Sequence, residues 1–179
     1  MIEQTVKDRI QTCYQICALI DANSTDNRTL PLKDMLRIEF LKFSSYLVDL
    51  DGTIDQEELN CIRDYLQFDL TSGALKNFKE NEGVRSDFLK QPPVILKHFV
   101  LADAKKMIAN DPYEHQAAQI LTDTYKIYGQ MLISCHATEQ TDSRSVETLT
   151  NYITLLENFL KEYGVWKYSS DRLFPVTDI

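Results

Sequence analysis

Residues 43–62 read Phe43-Ser44-Ser45-Tyr46-Leu47-Val48-Asp49-Leu50-Asp51-Gly52-Thr53-Ile54-Asp55-Gln56-Glu57-Glu58-Leu59-Asn60-Cys61-Ile62. Up to Leu50 the apolar residues fall three or four apart, at Phe43, Leu47 and Leu50, and continue Leu32, Met35, Leu36 and Phe40 upstream. That is the stripe of an amphipathic helix. Asp51-Gly52 breaks it, and it resumes at Leu59, Ile62, Tyr65 and Leu66. Asp55 and Glu58 have the spacing of a capping box. The first carboxylate accepts from first-turn N–H groups, and the second reaches back to the Asp55 N–H. The stretch therefore reads as helix, turn, cap, helix.

The same periodicity extends outward. Residues 3–22 carry Val6, Ile10, Cys13, Cys17 and Ile20 on one stripe, and Pro31 lies near the start of the helix over 32–50. A short helix is predicted over 72–81, ending near Gly83, with one more turn at 86–90. Residues 93–109 follow Pro92-Pro93, and Asp111-Pro112 reads as a break and the N-cap of a long helix over 113–136. A last helix is predicted over 143–163, with Gly164 as its C-cap. No segment alternates as a strand would, and five Gly and five Pro in 179 residues disfavour turn-rich β and doubly wound folds. The expectation is an all-α, compact single-domain bundle of six to seven helices over residues 1–164. A tail over 165–179 carries Trp166, Tyr168, Phe174 and Pro175, set to pack on the domain or bind a partner. The helical hairpins also repeat. Phe43, Tyr46, Leu47 and Leu50 match Tyr128, Met131, Leu132 and Cys135 at an offset of 85. Leu59, Ile62, Tyr65 and Leu66 match Val146, Leu149, Tyr152 and Ile153 at 87, which also pairs Asp55 with Asp142.

Nineteen Lys and Arg against 27 Asp and Glu give a net charge of −8, which disfavours nucleic acid and anionic membranes as partners. The basic groups Lys105-Lys106 and Lys161/Lys167 read as solvated helix faces. No apolar run approaches the length of a membrane span, and the first residues hold no apolar leader core, so the default location is cytoplasmic. Cys13 and Cys17 lie four apart on one helix, too far for a disulfide. No zinc spacing is present, and all four cysteines, with Cys61 and Cys135, are read as buried thiols. His98, His115 and His136 are scattered and form no metal motif.

The acidic loop carries three readings. Asp49-Leu50-Asp51-Gly52-Thr53 has the DxDGT form of haloacid-dehalogenase-like phosphatases, a resemblance that makes Asp49 the nucleophile and Asp51 the general acid/base beside Mg²⁺. That motif ends a buried strand, whereas here it ends a helix, and no Gly-Asp dipeptide supplies the later acidic motif. As an EF-hand-like cation loop, Asp49, Asp51, Gly52, Ile54, Asp55 and Glu58 fall at positions 3, 5, 6, 8, 9 and 12, with Leu47 at position 1 in place of the first ligand. As plain structure, Asp-Gly ends one helix and the capping box starts the next.

The pattern Tyr46-Leu47, Asp51-Gly52, Ile54-Asp55, Glu58-Leu59 and Ile62 resembles the TerB-like (tellurite-resistance) helical family over about 30 residues. The resemblance implies a helical bundle of two related halves, linked to stress responses and binding metal at acidic loops. It makes Asp49, Asp51, Asp55 and Glu58 the candidate ligands of one divalent cation, such as calcium. In the second half Ser134, His136 and Ala137 replace the acidic residues, so a two-site metal function is not implied. The expectation is a non-catalytic cytoplasmic module acting through a protein partner in stress response or regulation. The alternatives are an acidic, immunity-type partner of one specific protein without metal, and then the phosphatase.

Overall fold

The computed structural model describes residues 2–81, 88–135 and 143–166. They form seven α-helices: α1 (Ile2–Asn23), α2 (Leu32–Val48), α3 (Gln56–Leu66), α4 (Ser72–Asn81), α5 (Val94–Ala104), α6 (Ala117–Ser134) and α7 (Ser143–Glu162). A 3-10 turn at Phe88–Lys90 precedes α5, and no strand occurs among the described residues. The all-α expectation therefore holds. Gly83, Asp142, His136, Ala137, Lys167, Tyr168, Phe174 and Pro175 lie outside the described residues. Of the C-terminal tail, Val165 is buried and Trp166 packs against the core.

Helix α6 is the centre, packed against α1, α2, α3, α5 and α7. Its buried face carries Tyr125, Tyr128 and Leu132, which meet Phe40 and Phe43 of α2 and Tyr152 of α7. The ring contacts come in matched pairs. Phe40 lies 5.6 Å from Tyr128, and Phe43 lies 5.2 Å from Tyr125, both edge to face. Phe43 meets Tyr152 at 5.5 Å, and Tyr128 meets Tyr65 at 6.1 Å. Exchanging each residue with its counterpart at the offsets of 85 and 87 turns one contact of each pair into the other. The ring partners of the hairpins α2–α3 and α6–α7 thus correspond at these offsets, although Phe43 stacks on Tyr152 while Tyr65 meets Tyr128 edge to face. Each aromatic pair contributes about 0.5–1.5 kcal/mol beyond its buried area.

Small residues mark the crossing. Ser44 and its counterpart Gly129 are both buried. A Cβ on Gly129 would lie 2.5 Å from Leu149 Cδ1 and 3.0 Å from Phe43 Cζ, so glycine is what lets α7 approach α6 here. Ser44 Oγ shares a 2.8 Å hydrogen bond with the Tyr128 hydroxyl. The Tyr125 and Tyr152 hydroxyls are buried without a hydrogen-bond partner.

Two expectations are corrected. The long helix starts at Ala117 rather than at residue 113, and Asp111 is not its cap. Asp111 accepts instead from the Tyr113 N–H at 2.8 Å and the His115 N–H at 3.0 Å, closing a separate turn. Glu114 and His115 then take positive φ (53° and 59°), which no α-helix continues through. The open N–H groups of α6 are met from another helix. Asp103 of α5, 5% exposed, accepts from Ala117 N at 3.1 Å and Ala118 N at 2.8 Å. The second correction is to the cysteines. Cys13 and Cys17 are free, buried thiols as expected, but Cys61 of α3 is disulfide-bonded to Cys135 at the end of α6. The geometric exclusion covered only the pair on one helix; 74 residues separate the bonded pair, and only the packing of α3 against α6 brings them together.

Candidate functional site

The acidic loop begins where α2 ends. Asp49 is the C-cap of α2, and its carbonyl accepts from Gly52 N at 3.3 Å, closing a turn. Gly52 has φ +84°, with open space where a side chain would be. Its glycine is required by the backbone alone. Asp51 Oδ1 accepts from both the Thr53 N–H and the Thr53 hydroxyl at 2.9 Å. The expected capping box is present: Asp55 Oδ1 accepts from Glu58 N at 2.9 Å, and Glu58 Oε2 accepts from Asp55 N at 3.0 Å.

Helix α4 holds the other side of the loop. Lys79 Nζ lies 2.7 Å from Asp49 Oδ2, and Lys76 Nζ lies 3.8 Å from Asp49 Oδ1. Lys76 also donates to the Gly52 carbonyl at 3.2 Å, and Lys79 sits over the Tyr46 ring at 5.2 Å. At the far edge Arg144 of α7 donates to the Leu50 carbonyl at 3.3 Å. These basic partners lie 24 to 94 positions from the groups they meet, so no local spacing announces them. The i, i+3 pair Lys76/Lys79 is visible in the sequence, but not the carboxylate it faces.

The four candidate ligands are therefore divided. Asp49 is turned to two lysines. Asp55 and Glu58 each give one carboxylate oxygen to the capping box of α3. Asp51 and the buried Glu58 line one partly open cavity of about 20 Å³ together with Leu47, Val48, Leu132, Ile133 and Ser145. That is room for a single water-sized occupant. Among the described residues, no three His, Cys, Asp or Glu side chains converge to hold a metal ion. Of the four, Asp51 and Glu58 are the pair that shares a space. Asp49, the nucleophile in the phosphatase reading, is the C-cap of α2 and its carboxylate is engaged by Lys79.

By fold the chain is a compact helical bundle of two similarly packed hairpins, with a capped acidic turn at one junction. Compared with family models, with curated proteins and with solved structures, it shows no significant match. No described helix is long and apolar enough to cross a membrane.

Proposed function

We propose that this protein is a non-catalytic helical module, similar to TerB-like proteins, that works through a protein partner and carries one weak divalent-cation position at Asp51 and Glu58. The observation behind the cation position is the small cavity where these two carboxylates meet the Ser145 residue. Calcium takes six to eight oxygen ligands, so two carboxylates leave most of its shell to water and make binding weak. Stress response or regulation follows from the family resemblance alone.

Calorimetric titration with calcium and with manganese tests the site. The expected result is a dissociation constant in the millimolar range, with the heat lost in Asp51→Asn and kept in Asp49→Asn. No heat with either metal would remove the cation and leave an acidic, metal-free binding partner as the reading. Hydrolysis of an aryl phosphate with Mg²⁺, abolished by Asp49→Asn, would instead make the protein an enzyme. The cytoplasmic location expected from the sequence sits against the Cys61–Cys135 bridge, since disulfides persist chiefly in oxidising compartments. Trapping thiols in intact cells before mass spectrometry distinguishes the two.

A further inference from the structure

A second concavity lies between the connection from α1 to α2 and the face of α5, and shares no residue with the acidic loop. Its volume is about 210 Å³, below the roughly 300–1,000 Å³ of drug-sized sites. Ile20, Leu101 and Met107 give it an apolar wall, while Arg28, His98 and Lys105 bring basic groups to it. We propose that this cleft binds a small organic anion, a carboxylate or a phosphate monoester with a short apolar body.

Arg28 is fixed in place. Its Nη2 lies 2.7 Å from Asp21 Oδ1 and its Nη1 3.4 Å from Asp26 Oδ2. Asp21 is itself anchored, because its Oδ2 accepts from Leu32 N at the start of α2 at 3.0 Å. The guanidinium Nε is buried with no hydrogen-bond partner. His98 and Lys105 stand two turns apart on one side of α5, with Leu101 between them, an arrangement that presents two nitrogen donors across an apolar strip. Among the described residues, no carboxylate is paired with Lys105. Burial, then the Arg28 charge, holds the His98 imidazole below its usual range, so it is a neutral N–H donor at neutral pH. The lining acid, Asp26, has a side chain 70% exposed, and its field is screened by solvent. Asp21 offsets the Arg28 charge, so with His98 neutral and Asp26 screened the charge that an anion meets is that of Lys105.

The test follows the His98 imidazole by NMR in the full chain at constant ionic strength, with butyrate, phenyl phosphate and inorganic phosphate as probes. The expected result is a saturable shift with butyrate or phenyl phosphate in the millimolar range, and a rise of the His98 pKa at saturation. Which of the two organic probes binds tighter assigns the head group. Inorganic phosphate binds more weakly, since it leaves the apolar wall uncovered. Lys105→Ala, an exposed position, weakens binding about fivefold. Leu101→Asp abolishes it by placing a carboxylate in the cleft, and Lys97→Ala on the outer face of α5 has no effect. The proposal is overturned if no organic probe moves His98 at tens of millimolar, or if Lys105→Ala and Leu101→Asp both bind as the parent does.

Discussion

Gly129→Ala sets two effects of known sign against each other. In the interior of a helix, Ala is favoured over Gly by about 1 kcal/mol. The new methyl would lie 2.5 Å and 3.1 Å from the two terminal carbons of Leu149 and 3.0 Å from Phe43 Cζ. Leu149 ends in rotatable carbons and can yield in part. Phe43 cannot yield as easily, because its ring is fully buried and stacked on Tyr152. Overpacking of this kind costs about 1–3 kcal/mol, so the net expectation is a loss of about 1 kcal/mol. In a chain of this size that lowers Tm by roughly 2–4 °C. Urea unfolding of Gly129→Ala, Leu149→Ala and the double variant, without reductant, isolates the contact. With Leu149 truncated, the alanine should recover most of its helical advantage and become neutral or stabilising. If Gly129→Ala alone stabilises by the full amount seen on an exposed helix, the close approach of α6 and α7 is refuted.

Three further outcomes follow from buried groups. Burial raises the Asp103 carboxyl from 3.8 to about 6, against the opposing pull of the Ala118 and Ala117 N–H groups. The folded state therefore binds its proton more tightly, and the stability this gives is full below the unfolded value and lost as pH rises through about 6. Comparing the parent with Asp103→Asn by urea unfolding across that window should show a gap that changes by roughly 3 kcal/mol, the parent losing stability as pH rises; a constant gap would refute it. Cys61→Ser, or reduction, opens a bridge spanning 74 residues and should cost up to about 4 kcal/mol in unfolding free energy, measured against the oxidised chain; an unchanged midpoint contradicts the bridge. Tyr152→Phe removes a buried hydroxyl that has no partner and lies in the field of Glu39, so stability should hold or rise by about 1 kcal/mol. A loss above that, in the same assay, means the hydroxyl is bonded.

Much of the fold was legible because helical periodicity and local caps are short-range signals. The Asp55/Glu58 box and the bounds of α4 and α7 follow from residues within a few positions of one another. The start of α6 did not, since Asp111-Pro112 imitates a helix start while the groups that end the preceding turn, Glu114 and His115, adopt a backbone that their residue types seldom signal. Its actual cap, Asp103, comes from another helix. The candidate site was legible as a loop but not as a site. Asp49, Asp51, Asp55 and Glu58 within ten residues suggest one cation; what their spacing does not show is that lysines from α4 meet Asp49. Charge partners and the Cys61–Cys135 bridge are set by tertiary packing, which spacing does not encode.

The exchange of aromatic contacts between the hairpins describes a self-complementary surface. Phe40 and Phe43 of α2 face Tyr128 and Tyr125 of α6 ring for ring, while Ser44 and Gly129 differ in what they meet. Such a surface is isologous, the kind on which two identical chains close a dimer. A lone α2–α3 hairpin would have its ring cluster half uncovered and could bury it by pairing with a second copy. Within one chain the pairing of the two hairpins carries no concentration dependence, and the ring cluster they share, not the acidic turn of α2–α3, holds them together.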